Sequence, residues 1–457
     1  MAAGLEKLSE PNLADTRRKC NETAQIKLSV RSTIFRLLFS LLAAYMACGE
    51  AAAQNVVTDW NAIAVQTSAV NAKVPPGATA VNLAIMHLAM YDAVNSTNGR
   101  FQPYAVKLQA LQGASEDAAA AASAHRVLVS LFPAQQAALD ASYDSTLALI
   151  PDGASKANGI AVGEAAALAI LALRANDGRN ANVVFVPGSG PGEYQLTPPA
   201  FAPPQTPWLA QVTPFTMKSP SQFRPVQGPP PLGSFAWTAD YNATKILGDI
   251  NSTVRTPQQT EIGLFWGVEN PATQTNRAYR ALAAQQNLDT TDATRYFAIV
   301  ETAAADAFIA CFDAKYFFHF WRPITAIRAG DTDGNPNTIQ DSNWTPLAVT
   351  PNHPEFPAAH GCYTKATTEA LRGFFATDNV SITFTSTATG TTHTFVRFSD
   401  VMTEVAAARV YGGMHYPSSV LAGEKIGRKV ARQLLSHYFR RVDDPDTSLS
   451  EDSDDSE

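Results

Sequence analysis

The residues that could do chemistry in this 457-residue sequence concentrate in three short segments of its last third. The first segment holds two cations, Lys315 and Arg322, and is followed by Pro323. Residues seven positions apart share a face of a continuous helix, and a proline restricts the residue before it to a helix boundary. The spacing therefore predicts two cations that point into one space. The alternative is an amphipathic helix end with two solvated cations.

The second segment reads His-Pro-Glu-Phe-Pro-Ala-Ala-His-Gly and runs from His353 to Gly361. Pro357 suits the first position of a helix, and helical patterning continues to about Phe375. His360 then falls in the first turn, where backbone N–H groups and the helix dipole favour an anion. The alternative is a surface histidine at an ordinary helix start.

The third segment begins at Arg409 and contains His415. A continuous helix would place these two residues on different faces, so we expect Gly412-Gly413 to break the helix and bring them together. Pro417 would begin the closing helix, which places His415 just ahead of a second helix N-terminus. A plain helix–turn–helix corner is the alternative.

Together the three segments supply three fixed cations, two histidines and two helix N-termini. This set suits a tetrahedral oxyanion. The cations would surround its oxygens, one histidine would bond its central atom, and the other would transfer protons.

The order and spacing of these segments resemble the superfamily that joins vanadium-dependent haloperoxidases with type-2 phosphatidic acid phosphatases and bacterial acid phosphatases. Its pattern has three parts. The first is Lys and, after six residues, Arg-Pro, and the second is Pro-Ser-Gly-His. The third is Ser-Arg, then His after five residues, then Asp after three more. The chain keeps this pattern at Lys315, Arg322, Pro323, Pro357, His360, Arg409 and His415. The segment from His87 to Asn95 also resembles the N-terminal helix of the exported haloperoxidase-like branch. The resemblance covers most of residues 55–440.

The resemblance implies a mainly α fold of helical bundles that holds vanadate as its cofactor. His415 would bond the vanadium, or attack phosphorus in a phosphatase, and His360 would be the acid–base group. The oxyanion's oxygens would be bound by Lys315, Arg322, Arg409 and the backbone N–H of Ala359. His353 stands where the family tends to have His in bromoperoxidases and an aromatic residue in chloroperoxidases. Bromide or iodide is therefore expected rather than chloride, with His353 and Phe312 as the candidate halide site.

Four residues depart from the pattern. Ala358 replaces the Ser that would bond the anion, Ala359 replaces Gly, Ala408 replaces the Ser before the arginine, and Ser419 replaces Asp. The lost Ser removes one charge-assisted hydrogen bond, worth about 1.5–3 kcal/mol. The lost Asp removes an orienting or charge partner. These departures predict weaker anion binding or slower turnover, and they leave an inactive relative open.

Three functions follow. The first is a vanadate-dependent haloperoxidase-like oxidoreductase that uses hydrogen peroxide to oxidise a halide and acts on a small organic acceptor. The second is an acid phosphatase that works through a phosphohistidine at His415. The third is a catalytically silent binder of phosphate or vanadate. The size of the chain and the segment from His87 to Asn95 favour the peroxidase; the oligomeric state stays open.

The elements that must position these residues are mainly helical. Apolar residues at three- and four-residue spacing predict an N-terminal helical region at 54–176 and a C-terminal one at 241–442, which carries the site. A long helix is expected from Thr291 to Trp321. Residues 177–240 form a Pro-rich linker or loop, since 13 of the 29 prolines lie between 187 and 231. Residues 380–396 are Thr-rich and β-branched, which predicts one short hairpin.

Composition limits the class of protein further. Apolar residues make up 46% and charged residues 16%, which favours a large core. The net charge of −7 is dominated by residues 443–457, an acidic tail expected to be disordered, with eight acidic and no basic side chains. The body between the leader and this tail is near neutrality. A broadly basic nucleic-acid surface is thereby excluded, and any anion site must be a local cluster of cations.

Residues 1–53 read as a leader with a signal peptide. Arg31 and Arg36 precede the apolar run Leu37–Cys48, and an Ala-rich stretch ends at Ala53. The run is short for a membrane span, so we expect a secreted or periplasmic protein with no stable span in its mature form. Cys311 and Cys362 remain after cleavage. They could pair in an exported protein, or stay as buried thiols.

Overall fold

The computed structural model describes residues 55–109 and 113–443. The predicted signal peptide lies outside these residues, as does nearly all of the acidic tail. The described residues form one compact unit.

The described part is mostly helical, as predicted. Five helices precede the Pro-rich segment: α1, Val56–Val65; α2, Pro76–Asn98; α3, Glu116–Leu131; α4, Gln136–Ala148; and α5, Ala154–Leu173. Eight follow it: α6, Phe235–Gly248; α7, Pro257–Phe265; α8, Pro271–Gln285; α9, Thr290–Phe318; α10, Pro323–Arg328; α11, Ala359–Phe375; α12, Phe398–Tyr411; and α13, Pro417–His437. A π-helical turn, Gln66–Asn71, extends α1, and short 3₁₀ turns lie at Pro133–Gln135, Pro207–Gln211 and Gly330–Thr332.

Polar residues at the N-termini determine where several helices begin. The Ser115 side chain accepts from Ala118 N at the start of α3, and Asp289 accepts from Asp292 N at the start of α9. Thr256 and Gln259 form a reciprocal capping box before α7, with Pro257 at the first helical position. Each cap satisfies N–H groups that the helix itself leaves without a partner.

The two helical regions share one hydrophobic core. The main cluster of buried side chains includes Leu83 and Val94 of α2, Ile299 of α9, and Val430 of α13. The closest associations are between α11 and α13, α3 and α5, and α9 and α2. One described helix, α5, is long and apolar enough to cross a membrane by length and composition, and about a third of its most apolar 18-residue window is buried. The absence of a membrane span in the mature protein stays a prediction.

The predicted hairpin is confirmed. Strand β1, Ile382–Thr385, pairs antiparallel with β2, Thr392–Phe395, and Ile382 is opposite Phe395. The turn residue Gly390 has φ 72°, the left-handed conformation that glycine adopts without strain.

The Pro-rich segment lies against the helices along much of its length. The Tyr194 N–H donates to the His319 carbonyl at 2.7 Å, and the Phe215 N–H donates to Asp306 of α9 at 2.7 Å. Leu209 is fully buried in the main core. The segment thereby covers the C-terminal half of α9, the helix that carries Lys315.

The crossing of α11 and α13 is very close. A Cβ atom at Gly361 would lie 2.7 Å from the Val420 carbonyl oxygen, and one at Gly423 would lie 2.6 Å from the Ala358 carbonyl oxygen. Glycine is required at both positions because backbone meets backbone there. The crossing brings the start of α11, with His360, next to the start of α13, which follows His415.

Two predicted helix limits are wrong. Helix α9 ends at Phe318 rather than Trp321, because His319 adopts a left-handed conformation with φ 37°. Lys315 and Arg322 therefore do not share a helix face; Arg322 is the residue before α10. Helix α11 begins at Ala359, so Pro357 lies two residues outside it.

Candidate active site

Lys315 and Arg322 converge through the turn that ends α9, although they do not lie on one helix. Both side chains are fully buried. Arg322 follows the left-handed residue His319 and precedes Pro323, which begins α10. The sharp reversal of the chain turns Arg322 back towards Lys315, so the sequence prediction that the two cations lie close together holds for a different reason than helix periodicity.

The loop His353-Pro354-Glu355 anchors both cations through its backbone. Lys315 Nζ donates to the carbonyls of Pro354 and Glu355, each at 2.9 Å. Arg322 Nε donates to the His353 carbonyl at 2.8 Å, and Nη2 lies 2.9 Å from His353 Nδ1. These partners are mostly carbonyl oxygens, which orient the two cations without neutralising them.

The N-terminus of α11 is open to an anion. Its N-cap residue is Ala358, which has no side-chain oxygen to accept from the first N–H groups. Ala359 and His360 occupy the first turn, as predicted for His360. The replacement of Ser by Ala therefore removes the cap and leaves backbone donors free for a ligand.

Arg409 and His415 are brought together by the predicted break at Gly412-Gly413. Helix α12 ends at Tyr411, and Gly413 has φ 71°. The second predicted helix N-terminus is not available to a ligand. Asp240 of α6 accepts from both the N–H and the hydroxyl of Ser418, in the first turn of α13.

A cavity of about 310 Å³ joins most of these residues. Predicted site residues that line it are Phe312, His353, Ala359, His360, Arg409 and His415. Lys315 and Arg322 lie behind its wall, and Arg322 Nη1 is 3.3 Å from His415 Nε2. Arg409 donates to the Trp266 carbonyl at 2.8 Å and contacts the Met414 sulfur at 3.0 Å. Its Nε has no hydrogen-bond partner among the described residues.

Burial sets the charge state of the cavity. It lowers the pKa of Lys315 to about 8 and that of Arg409 to about 9, and Arg322 adds to both shifts by repulsion. Both groups keep their charge at neutral pH. Burial and the neighbouring cations hold the pKa values of His353, His360 and His415 well below the usual range. Neutral histidines beside fixed cations are suited to bind an anion and to accept a proton.

The residues fit a vanadate or phosphate ion. The open N–H groups of α11, the orphaned Nε of Arg409, and the charges of Lys315 and Arg322 are donors and cations that an oxyanion would satisfy. Neutral His415 provides the ring nitrogen that such a site needs. Ala358 adds no hydroxyl, so one donor of the family pattern is absent.

Glu355 is the site residue that the sequence analysis did not single out. Its carboxyl group is fully buried, and Oε1 lies 2.8 Å from His415 Nδ1. Burial raises its pKa to about 7, an effect that Lys315 and Arg322 oppose. The signal was a lone acidic residue in an apolar, Pro-rich segment directly before the helix of His360. The two cysteines are free, buried thiols, and Cys311 Sγ lies 3.7 Å from the Pro357 carbonyl oxygen.

Part of the chain is similar to known proteins. The family model described as the VCPO second helical-bundle domain matches residues 295–444, a range that contains the site residues predicted from the sequence. Vanadium chloroperoxidase of Curvularia inaequalis is 27% identical over 150 residues. This match spans 28% of this chain and 24%, about a quarter, of that protein.

The fold is that of solved vanadium haloperoxidases. The first bacterial vanadium-dependent iodoperoxidase is similar over 85% of this chain and 96% of its own, with 23% identity and a TM-score of 0.71. A holo-type bacterial vanadium-dependent chloroperoxidase is similar over 83% of this chain and 96% of its own, with 18% identity and a TM-score of 0.67. The predicted resemblance to vanadium haloperoxidases and the predicted mainly α fold are confirmed.

Proposed function

We propose that this protein is a vanadate-dependent haloperoxidase that uses hydrogen peroxide to oxidise bromide or iodide in preference to chloride. The supporting observation is that neutral His360 and His415 open onto one cavity together with the cation Arg409, while Lys315 and Arg322 lie behind its wall. Similarity to vanadium chloroperoxidase and to a bacterial iodoperoxidase supports the reaction class.

Each residue has a task in this proposal. His415 would bond the vanadium through Nε2. Arg409 and the Ala359 N–H would bind its oxygens, while the buried charges of Lys315 and Arg322 act from behind. When bound, vanadate would supply a Lewis acid that polarises hydrogen peroxide without changing its own oxidation state.

His360 would move the protons. It lies in the open first turn of α11 and lines the cavity, and its lowered pKa keeps it ready to accept a proton at neutral pH. Burial of the neighbouring cations strengthens their effect on developing negative charge, because water screens them little there.

The halide preference rests on His353 and Phe312. Their ring centroids are 5.1 Å apart, and both rings line the cavity. His353 Nδ1 lies 2.9 Å from Arg322 Nη2 and 3.2 Å from the Pro354 carbonyl oxygen. The shorter contact is to a group that can only donate, which favours the His353 proton on Nε2. That N–H is the donor we propose for a bromide or iodide ion. A small organic acceptor would then be halogenated at the cavity mouth.

A paired assay tests the proposal. Purified protein is loaded with orthovanadate, and halogenation is measured with hydrogen peroxide and chloride, bromide or iodide. Aryl phosphate hydrolysis is measured in parallel without vanadate. We expect vanadate-dependent oxidation of iodide and bromide that is lost in His415→Ala and kept in Asp140→Asn, a change remote from the cavity. Vanadate-inhibited hydrolysis without halogenation would assign a phosphatase instead, and neither activity would assign a silent anion binder.

An exported location belongs to the same proposal. It rests on the leader sequence alone, so cell fractionation of the full-length protein is the direct measurement. Retention in the cytoplasm would refute the exported location but would not contradict the proposed reaction.

A further inference from the structure

The orientation of His415 is fixed by a carboxylate from a distant part of the chain. Glu355 Oε1 lies 2.8 Å from His415 Nδ1, and the two residues are sixty positions apart. A ring proton on Nδ1 points at this carboxylate oxygen, which can accept it. Nε2, the nitrogen on the other side of the ring, is then left with its lone pair.

A second contact points to the same tautomer independently. Arg322 Nη1 lies 3.3 Å from His415 Nε2. A guanidinium group has donors only, so this contact needs an unprotonated Nε2. The two neighbours of the ring, one acceptor and one donor, therefore select the same form of His415.

Glu355 is itself held in place. Its N–H donates to the Phe320 carbonyl at 2.9 Å, and its carboxylate also accepts from the Tyr416 N–H at 3.2 Å. Its carbonyl accepts from Lys315 at 2.9 Å. A side chain held from several directions loses little further freedom when it orients a neighbour, which makes it an effective support for a ligand.

Ser419 provides the space for this carboxylate. In the pattern that the chain resembles, this position is an Asp four residues after the histidine. Here Ser419 is buried, its hydroxyl has no hydrogen-bond partner among the described residues, and the same is true of Glu355 Oε2. The hydroxyl lies close to the carboxyl group of Glu355, but without hydrogen-bonding geometry. An Asp at position 419 would place a second buried carboxylate beside Glu355. Two adjacent buried carboxylates repel each other, so we expect a carboxylate at only one of the two positions.

We propose that Glu355 is the positioning residue of His415 and that it replaces, from the loop before α11, a carboxylate that could otherwise stand at position 419. Its role is to hold His415 with Nε2 unprotonated, so that the lone pair that Arg322 contacts is available to a ligand. This inference rests on the proposed function for the identity of the ligand, but the tautomer belongs to the protein alone.

The test uses three variants of the full chain. Glu355→Gln keeps the size of the side chain but removes the charge, and its amide can donate as well as accept. Glu355→Gln with Ser419→Asp moves the carboxylate to the other position. Asp140→Asn is the matched control, because Asp140 bonds His125 Nε2 at 2.7 Å outside the cavity.

Two quantities are measured at one pH: orthovanadate affinity by calorimetry, and the protonated ring nitrogen of His415 by ¹⁵N NMR without vanadate. The His415 signals are assigned by their loss in His415→Ala. For Glu355→Gln we expect a mixed or reversed tautomer and roughly 10–100-fold weaker orthovanadate binding. The double variant should recover Nδ1 protonation and most of the affinity, and Asp140→Asn should change neither.

The outcomes separate cleanly. An unchanged tautomer in Glu355→Gln overturns the proposal, even if affinity falls, since Glu355 would then only balance charge. No recovery in the double variant overturns the exchange of positions. If the variants do not fold, a wild-type His415 protonated on Nε2 overturns the proposal by itself. Failure of the wild type to bind orthovanadate would refute the proposed function but would not affect the result on the His415 tautomer.

Discussion

Two buried polar clusters in this molecule are built in opposite ways. In the first, which we call the Asn61 cluster, the side chains bond one another. Asn61 Nδ2 lies 3.0 Å from His87 Nε2 and donates to Asn276 at 2.6 Å, while Arg280 donates to Asn61 Oδ1 at 2.8 Å. Glu301 is buried beside Asn276. None of these residues lines the cavity.

In the candidate site the charged side chains bond mainly backbone carbonyls instead. Lys315, Arg322 and Arg409 are each held by at least one carbonyl oxygen. Side chains that bond one another use most of their hydrogen-bonding groups within the fold, which stabilises it. Cations held by neutral carbonyl groups keep their net positive charge, and that charge attracts an anion in the cavity. The comparison therefore separates residues that stabilise from residues that bind.

The largest expected effect is a loss of orthovanadate binding without a loss of folding. His415→Ala should abolish orthovanadate binding, measured by calorimetry, because the ring nitrogen is lost. Asn61→Ala should leave that affinity unchanged. It should instead lower the free energy of unfolding by about 1–3 kcal/mol, since it leaves buried partners unsatisfied. The comparison fails if Asn61→Ala weakens binding as much as His415→Ala does.

The second-largest expected effect is a dependence of the free energy of unfolding on pH, which arises from Glu301 in the Asn61 cluster. Burial raises the pKa of Glu301 from 4.5 to about 8, so the folded protein keeps a proton that the unfolded chain releases. Stability from this group is present below pH 4.5 and is lost as pH rises towards 8, by about 1.4 kcal/mol per pH unit. Glu301→Gln removes the dependence.

Urea unfolding of the wild type and of Glu301→Gln between pH 4 and pH 9 measures this pH dependence. The difference between the two proteins isolates Glu301 from every other titrating group. A difference that stays constant with pH would show that Glu301 is ionised in the folded protein. Orthovanadate affinity should be the same in both proteins at any one pH, because Glu301 does not line the cavity.

A smaller effect is expected at Arg409. Arg409→Met keeps a long apolar side chain but removes the charge and the orphaned Nε donor. It should weaken orthovanadate binding by about 1.5–3 kcal/mol, the value of one hydrogen bond to a charged group. Because Arg409 is buried and its pKa is lowered by burial, the thermal midpoint should hold or rise in the variant. A lower midpoint with unchanged affinity would make Arg409 a structural residue.

The smallest effect is expected at Ala358. Ala358→Ser restores the hydroxyl of the family pattern at the N-cap of α11. A serine cap stabilises a helix by about 0.5–2 kcal/mol, so the thermal midpoint should rise. Orthovanadate should also bind more tightly, because the hydroxyl adds a donor at the open helix end. Tighter binding with no rise in the midpoint would show that the hydroxyl faces the ligand alone.

The sequence predicted what depends on local pattern. Periodic apolar residues located the long helices, the Thr-rich stretch located the hairpin, and Gly412-Gly413 located the break before His415. The end of α9 was missed because a left-handed histidine, His319, reverses the chain with no glycine to mark it. Glu355 was missed because its partner is sixty positions away and only the folded chain joins them. Local signals could not show that Asp240 occupies the start of α13.

The backbone contact between α11 and α13 also bears on motion. Gly361 and Gly423 leave no layer of side chains between the two helices, so they cannot slide or separate without losing the whole contact. The amide hydrogens at this crossing should therefore exchange with solvent only when the entire unit unfolds. We therefore expect the site built at this crossing to open only when the fold itself opens.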